Sequence, residues 1–255
     1  MKFTIGIVTY IERFDKWFKP LLTKIKDQRP DVEVIVCING EHNKDFDEEY
    51  RKEMLVFLSK FSNVYPMFFT SHRSLSKLWN NLLINSTNDI LVRLDDDLTI
   101  TNTNFWTQIV EALKINNYRS FKINGSWSHT VLNRMEVAEV GWFDERFLGG
   151  GEEDGDFEWR YGNTFGREFA NVHGFSIHNH WDEVDYDKCL VNMKKTDGKR
   201  SSFNKEFVSQ KYAVTEHGEQ HGIITINGER NLSCVLPTAD QYPYEKFWWD
   251  NKGDL

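Results

Sequence analysis

The sequence predicts an α/β protein with a doubly wound sheet flanked by helices. Three observations carry this reading. Short apolar runs alternate with segments of helical periodicity over residues 3–95. The run Val32–Ile38 is nearly unbroken, as in strands covered on both faces. Three carboxylates, Asp95-Asp96-Asp97, close the fourth run, and ligands of such sheets bind at the carboxyl ends of strands.

The elements follow in chain order. Phe3, Ile5 and Ile7 alternate, so Phe3–Thr9 is a strand. Trp17, Phe18, Leu21, Leu22 and Ile25 fall on one helix face, and Val32–Ile38 forms the second strand. Phe46, Tyr50, Met54, Phe57 and Phe61 mark the second helix. Val64–Phe69 is the third strand, with Pro66 predicting an edge or an early break. Leu75, Leu78, Trp79, Leu82 and Leu83 give the third helix, and Asp89–Leu94 the fourth strand. A helix through Phe105, Ile109 and Leu113 follows, then strands near Phe121–Ile123 and His173–His180. Asn227-Gly228 suits a hairpin turn within Gly222–Leu232. There is no internal repeat and no low-complexity linker. The expected division is a domain over residues 1–181, with halves 1–100 and 101–181, and an extension or lid over 182–255.

Composition narrows the function. The chain has 255 residues, 40% hydrophobic and 15% aromatic, which argues against disorder. Its formal net charge of −8 disfavours nonspecific nucleic-acid binding. No run reaches the ~18 apolar residues of a transmembrane helix, and the N-terminus lacks a signal-peptide pattern. Cys37, Cys189 and Cys234 form neither a zinc pattern nor a disulfide framework. A cytoplasmic location is expected. The charge is uneven. Asp144–Asp187 holds 12 acids against Arg146, Arg160 and Arg167, whereas Lys188–Lys211 holds seven bases against Asp197 and Glu206.

Three constellations suit chemistry. In extended backbone Asp95 and Asp97 share a face, and carboxylate oxygens are what hard divalent cations take. A capped turn is the ordinary alternative, and an EF-hand is excluded because the mid-loop Gly and closing Glu are absent. The second is Gly149-Gly150-Gly151-Glu152-Glu153-Asp154-Gly155-Asp156, flanked by Trp142 and Trp159. Glycines permit unusual backbone and close approach of a ligand. A helix opening after Gly151 pairs Asp156 with Arg160 at i,i+4 and leaves Asp154 for other work. The third is His173–His180, where His178 and His180 fall on one side of a strand and one is a candidate metal ligand.

Leu-Asp-Asp-Asp at 94–97, Val-Gly-Trp-Phe-Asp-Glu-Arg-Phe at 140–147, Glu-Asp-Gly-Asp-Phe-Glu-Trp-Arg at 153–160 and a late histidine together resemble the GT-A glycosyltransferases of family 2. The resemblance covers residues 3–180 and implies a Rossmann-like GT-A fold, a mixed, mainly parallel sheet flanked by helices, with a C-terminal extension. It implies a donor that is a nucleotide-diphosphate sugar, UDP-sugar foremost, and a glycan or other hydroxyl acceptor. It implies Mn²⁺ or Mg²⁺ held by Asp97 and Asp95, with Asp96 between them, and by His178 or His180. Thr9, Tyr10, Glu12 and Asn39 then face the nucleotide, although the family more often has Asp at the place of Asn39. Asp154 matches the catalytic base of inverting members, and a shift of one residue would make it Glu153. Lys194, Lys195, Lys199 or Arg200 would close over the diphosphate, and Asn204, Phe207 and Lys211 resemble a late family segment. Two rival readings are a sugar-nucleotide-forming nucleotidyltransferase and a Ca²⁺-dependent glycan-binding module. Thr9-Tyr10-Ile11-Glu12-Arg13 is not a glycine-rich phosphate loop, which disfavours the first.

Overall fold

The computed structural model describes residues 1–40, 45–180, 204–208, 211, 216–217 and 224–225. The basic residues Lys194, Lys195, Lys199 and Arg200, the Asn227-Gly228 turn and the whole 182–200 stretch lie outside the described residues. Ile224–Thr225 pairs antiparallel with Glu216–His217.

The alternation read from the sequence is present. Strand β1 is Thr4–Thr9, β2 Glu33–Ile38, β3 Val64–Phe68 and β4 Ile90–Asp95. Helices α1 (Lys19–Gln28), α2 (Glu48–Leu58) and α3 (Leu75–Asn85) connect them. Then come β5 (Leu98–Ile100), α4 (Phe105–Ile115), β6 (Phe121–Ile123), β7 (Ser126–Asn133), α5 (Arg134–Val140), α6 (Glu153–Phe165), β8 (Ala170–Val172) and β9 (Ile177–Asn179). The main sheet has seven strands in the order β3-β2-β1-β4-β7-β6-β8. The β1–β2, β1–β4, β2–β3 and β6–β8 pairs are parallel, and β7 runs antiparallel to both its neighbours. Strand order reverses between β1 and β4, which makes their carboxyl ends the topological switch point.

Local chemistry explains several elements. Asp47 caps α2, its side chain accepting from Glu49 N and Tyr50 N. Pro66 lies in β3 at the sheet edge, where a missing N–H leaves no ladder bond open on the far side. Ile5, Ile7, Val34, Val36, Val92 and Leu94 pack in one core with α1, α2 and α4. On the opposite face α3 comes close to β1: a Cβ on Gly6 would lie 3.0 Å from Leu82 Cδ1. The segment before α1 is a 3₁₀ turn, Ile11–Arg13, and a π turn, Phe14–Phe18. Trp17 therefore leaves the buried stripe that regular helix spacing assigns it. The longest strand, β7, carries no clear sequence signal, yet its turn does. Asn124 and Gly125 have φ of 51° and 74°, as a two-residue hairpin turn between β6 and β7 requires.

The described residues fall into two compact units. One comprises residues 1–72, 82–136 and 170–180 and holds the seven-stranded sheet. The other comprises 73–81, 137–169 and the described residues from 204 on. Among the described residues no helix is long and apolar enough to cross a membrane.

Candidate active site

In the sheet unit, parallel pairing brings three predicted residues to neighbouring strand ends. Val8 pairs with Asp95 and Thr9 with Ile38, and Asn39 N donates to Thr9 O at 2.8 Å. Thr9, Asn39, Asp96 and Asp97 are buried. Asn39 Oδ1 accepts from Gly40 N at 3.1 Å, and its Nδ2 lies 3.3 Å from His72 Nδ1. Tyr10 and Glu12 follow β1, and Glu12 is exposed.

The acidic triplet has an internal counter-ion that the sequence did not reveal. Arg13 Nη1 lies 2.7 Å from Asp96 Oδ1 and 3.0 Å from Asp97 Oδ2. Its Nε donates to Tyr10 Oη at 2.7 Å. Arg93, also buried, reaches Asp95 at 3.4 Å and Thr130 Oγ1 at 3.1 Å. Desolvation pushes Asp95 up to about 7 against the pull of Arg93, with repulsion from Asp97 adding to it. Desolvation likewise pushes Asp96 up to about 6, although Arg13 opposes it.

Strand β9 brings the predicted histidines beside β5. His178 pairs with Thr99, and His180 N donates to Asp97 O at 2.9 Å. The two imidazole rings are 4.4 Å apart and perpendicular. His180 Nε2 lies 2.8 Å from Thr99 Oγ1, and its ring is 4.9 Å from Trp17. Among the described residues no three His, Cys, Asp or Glu side chains are grouped to hold a metal ion. Asp97 Oδ1 is nonetheless buried without a hydrogen-bond partner. One such oxygen fits a hard cation that takes one or two carboxylates and completes its shell with phosphate oxygens and water.

The second unit contains the glycine- and acid-rich segment. After α5 the chain turns through Gly141 and Trp142, whose φ values are 97° and 68°. Asn80 grips Phe143 by both backbone groups, donating to its O at 2.8 Å and accepting from its N at 3.0 Å. Its Nδ2 also reaches Glu145 Oε1, and Lys77 Nζ stands 3.9 Å from Glu145 Oε2. Burial pushes Lys77 down and Glu145 up. Burial raises Asp144 as well, but hydrogen bonds from Arg146 and Lys211 outweigh it and hold this carboxyl below its usual value.

Gly149 and Gly151 have φ of 63° and 109°, and Glu152 adopts 73°, a left-handed conformation uncommon for a residue with a side chain. Helix α6 starts next, with Glu153, Asp154 and Asp156 in its first turn, where the helix dipole favours acids. The expected Asp156–Arg160 pair is present at 2.8 Å, with both side chains buried. Arg160 also donates to Val140 O and Trp142 O. Glu153 is buried, whereas Asp154 is half-buried and its Oδ1 accepts from Gly155 N at 2.8 Å. Lys211, Asn204, Asn80 and Arg13 are the partners that pattern reading did not place. The i,i+4 spacing of Asp156 and Arg160 did advertise their pairing in advance.

Comparison with known proteins agrees with this architecture. The profile of the family described as glycosyl transferase family 2 matches residues 4–167. S. aureus TarS superposes with a TM-score of 0.53 at 12% identity, covering 82% of this chain and 42% of TarS. The TarS 1–349 fragment gives 0.50 at 14%, covering 63% and 55%. The chain thus spans about half the length of the TarS structures it matches, and these likenesses establish the fold. Glucosyl-3-phosphoglycerate synthase from Mycobacterium tuberculosis, solved with Mn²⁺, UDP and glucosyl-3-phosphoglycerate, gives 0.49 at 14%, covering 76% and 79%. None of the curated proteins compared matches the chain.

Proposed function

The chain belongs to glycosyl transferase family 2, and from that premise we propose that it transfers a sugar from a nucleotide-diphosphate sugar to a hydroxyl acceptor. The observation that carries the proposal is the convergence of Thr9, Asn39 and Asp95–Asp97 at the strand ends of the switch point. UDP-sugar is the donor we favour and a glycan the acceptor, with residues 1–181 as the catalytic domain. Thr9, Tyr10, Glu12 and Asn39 contact the nucleotide in this reading.

Asp97, with Asp95 and His178 or His180, would hold Mn²⁺ or Mg²⁺, and the partnerless buried oxygen of Asp97 supports that assignment. A divalent ion held there would supply positive charge to offset that gathering on the leaving diphosphate. Asp154 takes the proton of the acceptor hydroxyl as its oxygen attacks the anomeric carbon. The new carbon–oxygen bond forms as the bond to the diphosphate breaks, and a single displacement inverts that carbon. The half-open position of Asp154 favours it over the buried Glu153 as the base.

The test is calorimetric titration of UDP, UDP-glucose and GDP, with and without Mn²⁺, into the protein and into Asp97→Ala. UDP binding that strengthens with Mn²⁺ and loses that dependence in Asp97→Ala is expected. Binding indifferent to nucleotide but responsive to free glycan with Ca²⁺ would instead identify a glycan-binding module.

A further inference from the structure

The loop that leads into the helix carrying the proposed base is fastened by a short stretch more than fifty residues downstream. Residues 204–208 are helical, and Asn204 is fully buried. Its carboxamide makes three bonds to the backbone of the glycine loop. Oδ1 accepts from Leu148 N at 2.9 Å, and Nδ2 donates to Leu148 O at 3.0 Å and to Gly151 O at 2.8 Å. Phe207 lies edge-on to Phe147 at 5.1 Å, and Val208 is buried with Phe147.

Lys211 completes the fastening. Its buried Nζ lies 2.8 Å from Asp144 Oδ2 and 2.6 Å from Asp156 Oδ1. These acids stand at the two ends of the loop, Asp156 two residues beyond Asp154. Each already has an arginine of its own: Asp144 pairs with Arg146 at 2.7 Å and Asp156 with Arg160 at 2.8 Å. The addition specific to Lys211 is therefore the tie between the two ends. Such a tie matters because the loop is intrinsically permissive. Gly149, Gly150 and Gly151 are consecutive, and glycine has the widest choice of backbone conformation.

We propose that Asn204 and Lys211 are positioning residues for the transfer reaction: they hold the Leu148–Glu152 turn and thereby the first turn of α6, where Asp154 lies. This rests on the reading of Asp154 as the base. Misplacing a reacting group by about an ångström costs on the order of 10²-fold in rate. The effect should fall on turnover and leave donor binding alone, since neither side chain is assigned to the donor.

The test compares Asn204→Asp, Lys211→Met, Lys211→Arg and Asp154→Asn in the full chain. Asn204→Asp keeps the size and the acceptor of the amide but removes both of its donated bonds. Turnover is UDP release from a mixture of UDP-glucose, UDP-galactose and UDP-N-acetylglucosamine with Mn²⁺ and water as acceptor. Donor affinity is read by calorimetry, and hydrogen exchange is followed over residues 148–156. Asn204→Asp and Lys211→Met should lower kcat at least tenfold with donor affinity unchanged and faster exchange over 148–156, and Lys211→Arg should restore part of kcat. Unchanged exchange over 148–156 in both overturns the proposal, whether or not turnover is measurable. Wild-type kcat in both, with Asp154→Asn inactive, overturns it and leaves the base assignment standing. A fully active Asp154→Asn removes the base assignment and this inference with it. If neither Asn204→Asp nor Lys211→Met folds, the stretch is core rather than a positioning device, and the proposal fails.

Discussion

Asp154 and Asp156 are two residues apart; Asp156 sits in a buried ion network and Asp154 is the proposed base, and a paired substitution separates the two. Asp156 is fully buried and accepts Arg160 Nε at 2.9 Å, Arg160 Nη2 at 2.8 Å and Lys211 Nζ at 2.6 Å. Asp156→Asn keeps the shape, withdraws the charge and points an amide N–H₂ at cationic donors. Removing one partner of a buried pair costs about 3–5 kcal/mol. Arg160 keeps Val140 O and Trp142 O, and Lys211 keeps Asp144, so the lower end, about 3 kcal/mol, is expected. At roughly 2–4 °C per kcal/mol for a domain of this size, the melting temperature should fall by roughly 6–12 °C. Asp154→Asn acts on a half-buried side chain and should change stability by less than about 1 kcal/mol. Its turnover should fall by about 10²-fold or more, with donor affinity intact. Calorimetric melting and turnover of the two variants side by side are the assay. An Asp156→Asn melt within about 2 °C of wild type refutes the reasoning about the buried network. Near-full activity in Asp154→Asn with an inactive Glu153→Gln moves the base by one residue.

Three further outcomes are expected. His178→Ala or His180→Ala should weaken Mn²⁺ affinity in the presence of UDP, whereas His173→Ala should not; wild-type affinity in the first two makes the histidines structural. Gly40→Ala should destabilise by about 1–3 kcal/mol in urea melts, because its Cβ would lie 2.6 Å from Phe69 O and from Ser71 backbone atoms that cannot swing aside. Burial, reinforced by the charge of Arg93, pushes His129 down to about 4, so the folded state holds it neutral while the unfolded chain takes up a proton below ~6.5. Stability from this group is present above pH ~6.5 and is lost as pH falls towards 4, by up to about 3 kcal/mol. Asp95 and Asp96, pushed up, contribute in the opposite sense over the same window, so the stability difference between wild type and His129→Gln as pH falls isolates the histidine.

The elements legible in the sequence are those whose stabilising contacts repeat at a fixed local spacing. Period-two and near-continuous apolar runs mark β1, β2 and β4, and period-3.6 stripes mark α2, α3 and α4, because burial selects the same face turn after turn. Pro66 announced an edge through its missing N–H, and Asp156–Arg160 announced a pair through helical geometry. Strand β7 was not legible because His129 and Thr130 are polar side chains buried in the sheet interior, and Thr130 meets Arg93 of β4, 37 residues earlier. The same limit applies to Arg13, which finds Asp96 across 83 residues, and to Lys211, which ties Asp144 to Asp156. The chain's own order determined the alternation of strands and helices and the acids at their ends. Only the tertiary structure decided which cation answers each acid, because a charge pair has no sequence period and depends on strand order and register that many distant contacts settle together.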